Sequence, residues 1–423
     1  MRTPTTGLLL STLLVVAAVA GALPGAVAAA GVGTGVESPA ANPTTPNVAV
    51  QAGTCEFPVS ATDATGTEVA VEERPERVTT LSPSAAQTMW EVGGESQVVG
   101  VTRFASYLDG AESKANVSGS GQAAISVEKV VGTEPDLVLA PNVVPNQTVT
   151  QLRDAGLTVV KFEAATSVED VREKTTLVGE LTGNCEGAAQ ANAWMMQNVA
   201  AAENATAGVE PVRAINALGG GFVAGDETFV DAMLAVSGAT NVAAEANVTG
   251  FAQLSDETVA SLDPEYVVVT YPGAVDLSAQ PWADTPAGQN NATVTVDSTY
   301  LGQPAPRSVV FGVRNLTEAF HPDAYGEAQF VSRSEVEANA STGNATDENA
   351  SAGDESTDAN ATSTTVASDS TASEDGDGGA EVTTGTATPT ETGDETSSTS
   401  PGFGAGVAAL ALLASALLAV RRD

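Results

Sequence analysis

Two stretches of this chain, "SVEKVVGTEPDLVLA" (Ser126 to Ala140) and "SDETVASLDPEYVVV" (Ser255 to Val269), follow one plan. Each reads Ser, any residue, Glu, a short helical pattern, acid-Pro-acid, then an apolar run. Ser126 and Ser255 stand where a hydroxyl caps a helix N-terminus. Glu128 and Glu257 fall in the first turn, where the helix dipole favours an anion. The residue before a proline leaves the α region, so Glu134-Pro135 and Asp263-Pro264 end the helices. "DLVLA" and "YVVVT" are short continuous apolar runs, the pattern of strands buried in a parallel sheet. A helix–turn–strand unit that occurs once in each half demands two similar α/β bodies.

More α/β units flank the pair. "RVTTLS" followed by "SAAQTMWEVGG" reads as strand then helix, "QVVGVT" as a strand, and "TVTQLRDAG" with "LTVVKFEA" as helix then strand. In the second half "VRAINALGG" is a strand and "DETFVDAMLAVSGA" a helix ending at Gly238. In the first unit, Ser84-Ala-Ala-Gln87 fits a capping box, which starts a helix that ends at Gly93-Gly94 and carries Met89 and Trp90 into the core. Between the halves, Ser167 to Asp170 resembles a capping box with Asp at the acidic position. That helix breaks near Gly183. A second runs from about Cys185 to Asn204, long enough at about 1.5 Å per residue to cross from one body to the other. The expected fold class is α/β: two α/β lobes joined by a single long connecting helix. The expected boundaries are 55–166 for the first lobe, 167–207 for the connecting helices and 208–331 for the second lobe. A helical connector is stiffer than loops, so limited lobe motion is expected.

The ends of the chain are of another kind. Arg2, an apolar run from Gly7 to Leu23 and Ala26-Val27-Ala28 make a secretory signal peptide over 1–28. Residues 29–54 are small and Pro-rich, a flexible spacer. From 332 to 400 the chain is Ser, Thr, Asp, Glu, Ala and Gly, too poor in large apolar residues to offset its chain entropy, and is expected to form a disordered stalk. The apolar run from Phe403 to Val420 is just long enough to span a bilayer, with Arg421 and Arg422 on the cytoplasmic side. Pro401-Gly402-Phe403 before an apolar helix and a basic end resembles the PGF-CTERM signal of archaeal surface proteins (401–423). That resemblance implies an archaeosortase partner and a chain held at the outer face of the cell membrane, by its helix or by a lipid that replaces it. Sequons stand at Asn116, Asn146, Asn204, Asn247, Asn291, Asn315, Asn339, Asn344, Asn349 and Asn360, and export makes some glycosylation expected.

Composition narrows the function. The formal net charge is -37, with 16 Lys+Arg against 53 Asp+Glu. Such a surface repels nucleic acid and anionic lipid, and suits a protein kept soluble in high salt, as in a halophilic archaeon. The acidic terminal segment carries part of that charge. Export permits one disulfide between the two cysteines, Cys55 and Cys185; the alternative is two free buried thiols. One histidine, His321, lies before a proline at a helix end, so neither a resident metal site nor His-based catalysis is expected. No nucleophile–base constellation is present, so no enzyme and no catalytic residue is expected. The run Gly219-Gly220-Gly221 lacks a P-loop lysine and reads as a turn or close packing.

The ordered set "RVTTLSPSAAQTMWEVGGESQVVGVT", "SVEKVVGTEPDLVLA", "QLRDAGLTVVKF", "SVEDVREKTTLVGELTG", "GFVAGDETFVDAMLAVSGATNV" and "APRSVVFGVRNLTEAFHP" resembles the substrate-binding proteins of ABC importers for cobalamin and ferric siderophores. It spans about Arg77 to Pro322. The resemblance implies a monomeric solute-binding protein that holds its ligand between two lobes and delivers it to permease and ATPase subunits. It implies a corrinoid ligand, with a ferric siderophore or haem as the alternative; a purely structural surface glycoprotein is the remote one. Carried over by motif, Glu128 and Glu257 are the acids that dock on the permease.

Ligands of open α/β folds lie beyond the carboxyl ends of the strands. The candidate ligand residues are therefore those of the loops there: Ser82, Pro83 and Ser84; Arg103, Phe104 and Tyr107; Pro141 and Asn142; and Phe222, Tyr271, Tyr300 and Arg307 in the second half. Aromatic rings suit a corrin or chelate face, and the arginines suit a carboxylate or phosphate. Where family members that bind cobalamin can carry a Trp after the strand, this chain has Pro141-Asn142.

Overall fold

The computed structural model describes residues 55–120 and 124–339. The expected signal peptide, spacer and sorting segment, most of the stalk, and the sequons at Asn344, Asn349 and Asn360 lie outside the described residues. The chain begins with an antiparallel hairpin, β1 (Val59–Thr62) and β2 (Glu68–Val71). It continues through β3 (Val78–Thr80), α1 (Pro83–Glu91), β4 (Val98–Val101), β5 (Ala115–Asn116), α2 (Val127–Gly132), β6 (Leu137–Ala140), α3 (Asn146–Asp154) and β7 (Val159–Lys161). These strands form a sheet in the order β5-β4-β3-β6-β7, parallel throughout. Every residue of β6 is fully buried, as a strand covered on both faces requires.

Two helices follow, α4 (Val168–Thr182) and the 22-residue α5 (Cys185–Thr206). The second half runs β8 (Val212–Gly219), β9 (Phe222–Ala224), α6 (Phe229–Val236), β10 (Ala239–Asn241), α7 (Val242–Glu245), β11 (Phe251–Gln253), α8 (Asp256–Ser261), β12 (Tyr266–Val269), α9 (Pro286–Asn290), β13 (Thr293–Thr295), α10 (Ser298–Leu301), α11 (Pro306–Phe320) and α12 (Pro322–Glu327). Its sheet has the order β11-β9-β8-β12-β13, with β10 parallel to the start of β8. β8, β12 and β13 are parallel, and β9 turns back antiparallel to β8. Gly219, Gly220 and Gly221 make that turn, all at positive φ (88°, 59° and 79°), a run only glycines adopt without strain.

The repeat is reproduced down to single hydrogen bonds. Ser126 and Ser255 cap α2 and α8 by accepting from the N–H groups of Lys129 and Thr258. Glu134 and Asp263, each before a proline, both take the left-handed conformation, at φ 47° and 51°. The acid after each proline, Asp136 or Glu265, accepts the backbone N–H of an arginine at the start of the first strand of its sheet, Arg77 just ahead of β3 or Arg213 at the second position of β8, at 2.9 and 2.8 Å. Each guanidinium then donates to the carbonyl of the helix C-cap, Thr133 or Leu262. Those carbonyls have no intrahelical partner, so the arginine satisfies them and joins helix end to strand start.

Three expectations change. The first helix does not start from a Ser84–Gln87 capping box. Ser82 is its N-cap, accepting from Ala85 N–H at 3.2 Å, and Pro83 occupies the first turn, where its missing N–H costs nothing. Trp90 is only partly buried and donates its indole N–H to the Asp109 carbonyl at 2.9 Å. The fold also continues past the boundary set at 331: the chain is helical again from 333, and Val336 is 2% exposed within the core of the second half. The capping box at Ser167 and Asp170 is present, with both of its reciprocal bonds.

Cys55 and Cys185 form a disulfide, with Cα atoms 5.7 Å apart, which ties the chain ahead of the β1–β2 hairpin to the start of α5. The hairpin is further held by Asp63. Its carboxylate accepts from Thr65 and Thr67 N–H, from the Thr65 hydroxyl, from Lys161 N–H and from Arg153. Burial works to raise its pKa, but these hydrogen bonds override burial and hold the carboxyl down at about 2. A folded pKa below the unfolded value of about 3.9 gives stability that is complete above that value and lost as the pH falls toward 2. Asp63→Asn should therefore destabilise the protein at neutral pH and flatten the fall in its unfolding midpoint between about pH 4 and pH 2, measured by denaturant titration.

Candidate functional site

The carboxyl ends of the two sheets carry most of the residues singled out in the sequence. At the first sheet, Ser82, Pro83 and Ser84 follow β3. The two serine hydroxyls lie 2.9 Å apart and both residues are buried, so this turn is closed upon itself. After β4 come Arg103, Phe104 and Tyr107. Phe104 is 45% exposed and the Arg103 guanidinium sits 4.7 Å from its ring centroid, a cation–π pair. Pro141 is buried after β6, but Asn142 is exposed and Val143 is 51% exposed. At the second sheet, Phe222 opens β9 at the tip of the glycine turn and is partly buried. Tyr271 follows β12 and is 46% exposed; its hydroxyl reaches the turn, 3.9 Å from where a Cβ on Gly219 would stand. Phe104, Val143 and Tyr271 are thus large apolar side chains held in water at strand ends, where the sheets present their loops. They make the strand-end loops the candidate binding face.

Tyr107, Tyr300 and Arg307 are placed differently. The Tyr107 hydroxyl accepts from Gln87 Nε2 at 3.0 Å, and burial pushes its pKa up. The other end of the same amide, Gln87 Oε1, lies 2.8 Å from the Ser308 hydroxyl on α11. That hydroxyl is also 2.8 Å from the Thr299 carbonyl, so one hydrogen serves two acceptors. One turn on from Gln87 in α1, Glu91 has a side chain only 6% exposed. Arg307 Nε lies 2.7 Å from its Oε1, close but without the alignment of a hydrogen bond. Arg333 Nη1 lies 3.5 Å from Oε2, and Arg333 Nη2 donates to the Glu91 carbonyl at 3.0 Å. Burial pushes the Glu91 pKa up against the pull of both arginines.

This triad walls two cavities of about 470 and 450 Å³. Trp90 and Asp109 line one; Trp194, Tyr300, Phe311 and Arg314 line the other. Tyr300 is half-buried there, its ring 5.2 Å from that of Phe311. Arg307 and Tyr300 line one cavity together with Arg333, and neither Phe104 nor Tyr271 is part of that lining.

Sequence reasoning passed over Glu91, Lys174 and Arg333, and gave Gln87 only a capping role. All four join the halves of the chain: Lys174 on α4 donates to the Pro304 carbonyl ahead of α11, and Arg333 reaches back to the end of α1. One signal was present. Gln87 and Glu91 are polar residues four apart on a helix whose other positions are mostly apolar or small, a stripe that needs a polar partner.

Residues 78–300 match the family described as periplasmic binding protein, and residues 400–422 match the PGF-CTERM motif. The cobalamin-binding protein of Halobacterium salinarum is 44% identical over 279 residues, which cover 63% of this chain and 75% of that protein. Among solved structures, the periplasmic heme-binding protein BhuT in complex with two hemes is 29% identical, with a TM-score of 0.52 over 59% of this chain and 100% of that one. The apo form of the periplasmic heme-binding protein RhuT from Roseiflexus sp. RS-1 is 26% identical, with a TM-score of 0.52 over 58% of this chain and 99% of that one.

A carboxylate buried between two guanidiniums behaves asymmetrically on mutation. Removing one cation leaves the charge stranded, whereas replacing the pair with apolar groups is nearly neutral. Arg307→Leu should lower stability by about 3 kcal/mol, and adding Glu91→Leu should restore most of the loss. Thermal unfolding of the two single variants and the double variant, in molar salt, checks this.

Proposed function

The chain belongs to the periplasmic binding protein family, and on that premise we propose that it captures a corrinoid of the cobalamin type outside the cell and delivers it to the permease of an ABC importer. The PGF-CTERM segment makes it an exported protein anchored at the cell surface. In this reading the halves around the two sheets are lobes joined by α5, and the ligand lies between their strand-end loops.

The 44% identity with the Halobacterium salinarum cobalamin-binding protein, over three quarters of its length, carries the corrinoid reading. The site supports it. Phe104, Val143 and Tyr271 offer apolar faces for a flat macrocycle and its edges, and Arg103 stands beside them for an amide or phosphate group. Asn142 replaces the aromatic ring expected after β6 with an amide that can hydrogen-bond the ligand's periphery. Haem is the second reading, favoured by the likeness to the heme-binding structures. Haem iron takes a His, Cys, Met or Tyr ligand. Here the one histidine, His321 at the end of α11, is 8% exposed and its Nε2 lies 2.8 Å from the Gly238 carbonyl, so a haem at the strand-end loops would draw its ligand from Tyr271.

Calorimetry in molar salt with cyanocobalamin, hemin and a ferric hydroxamate separates the readings. Cobalamin should bind tightly, and Phe104→Ala and Tyr271→Ala should each weaken it roughly tenfold, the loss of about 1.4 kcal/mol of apolar contact. Binding of hemin or the hydroxamate without cobalamin would overturn the corrinoid assignment.

Glu128 and Glu257 are both exposed, each in the first turn of a helix capped by serine, one beside each sheet. This equivalence supports their docking on the permease. Replacing both with Ala should leave cobalamin affinity unchanged and abolish uptake by cells; lost affinity would assign them to the ligand site instead.

A further inference from the structure

Six sequons have all three of their residues within the described part of the chain, and they are not equivalent. Transfer of a glycan requires the asparagine amide and the hydroxyl two residues on to be presented together on an accessible loop. In a helix, residues i and i+2 do not share a face. Asn146 opens α3, Asn204 lies in the last turn of α5 and Asn315 in the middle of α11, so all three are separated from their hydroxyls. The Thr206 hydroxyl donates to the Ala202 carbonyl at 2.9 Å, and Thr317 is fully buried. Asn116 is at a strand end, but its hydroxyl partner Ser118 is 2% exposed and accepts Arg103 N–H at 2.9 Å, while Asn116 Oδ1 accepts Ser118 N–H.

All six asparagines are exposed, but Asn247 and Asn291 differ from the other four in their backbone and in the exposure of their hydroxyl partners. Each stands on a turn in the left-handed conformation, at φ 62° and 52°. Each asparagine is exposed, and so is its threonine, Thr249 or Thr293. We propose that Asn247 and Asn291 are the N-glycosylated residues of the folded body. The donor is a lipid-phosphate-linked saccharide. Its anomeric carbon leaves the phosphate oxygen and bonds to the asparagine side-chain nitrogen; the amide loses one proton, and the lipid phosphate departs with the electron pair.

The two sites share one pole of the molecule. Asn291 lies just ahead of β13, at the amino end of a strand parallel to β12. Thr249 bridges to Asp226, which follows β9, and β9 runs antiparallel to β8, so this too is the amino end of β8. The loops with Phe222 and Tyr271, and Glu257 beyond β11, are at the opposite, carboxyl end. Both glycans therefore lie away from the face that the proposed function assigns to ligand and permease. The sites themselves do not depend on that assignment.

Glycopeptide mass spectrometry on the full chain, purified from the cells that export it, tests the proposal. Peptides spanning Asn247 and Asn291 should carry sugar; those spanning Asn116, Asn146, Asn204 and Asn315 should be bare. Asn247→Gln and Asn291→Gln should each remove the mass of one glycan, and Thr249→Ala should do the same as Asn247→Gln. A bare Asn247 or Asn291, or sugar at any of the other four, overturns it.

Discussion

The Glu91 carboxylate, buried between Arg307 and Arg333, is the interaction on which the arrangement of the two sheets depends. α1 comes from the first half, α11 from the second, and Arg333 from the segment that leads toward the C-terminal anchor. A carboxylate in that position is costly to bury and tolerable only while both arginines face it. Its pKa is raised, so the pair does not fully offset desolvation, and its role is geometric more than stabilising. Neutral contacts beside it fix the same geometry: Gln87 bridges Tyr107 and Ser308, and Gly187 lets α5 lie flush against α1, where a Cβ would stand 2.1 Å from the Val92 carbonyl oxygen. Strand-end loops that together hold one ligand must be set by a joint of this kind.

The joint also takes in residues 331–333. The Val331 carbonyl accepts from Trp194 Nε1 and Asn198 Nδ2, both on α5, and Arg333 then crosses to the end of α1. The described chain therefore ends in a segment bound to both halves, and not in a loose tail of the second.

What was legible in the sequence is what is local. The serine caps of α2 and α8, the Ser167–Asp170 box, the glycine turn after β8 and the placing of His321 at a helix end all depend on residues within a few positions of one another. The candidate site was legible to the same degree: strand ends locate Phe104, Asn142 and Tyr271 because chain direction alone decides which loops share an end. Tyr300 and Arg307 were harder, because Arg307 answers to Glu91 across more than half of the folded chain, and a charge pair at that separation has no sequence signature. Gln87 misled for the same reason. Three residues after Ser84 it fits a local capping box, but its amide serves Tyr107 and Ser308. The stalk boundary failed because composition averages over a window, and the single buried Val336 disappears in an acidic, small-residue average.

The scarcity of cations explains the chemistry left at the open loops. With 16 Lys+Arg against 53 Asp+Glu, a cation is a rare residue here. Within the described body most are bound to main-chain carbonyls or enclosed carboxylates: Arg74 to the Thr182 carbonyl, Arg77 and Arg213 to helix ends, Lys129 to the Ser118 carbonyl, Arg153 to Asp63. Such contacts are short and shielded, and survive salt that screens charges farther apart than a few ångströms. Arg103, which donates to the Gly119 carbonyl at 3.3 Å, also stands stacked on the exposed Phe104 ring at the strand ends. In the proposed function, recognition of cargo rests on Phe104, Val143 and Tyr271, whose attraction for an apolar face does not weaken as salt rises. A strongly acidic protein that must select one solute from concentrated brine is best served by contacts of that type, and the carboxyl ends of its two sheets present them.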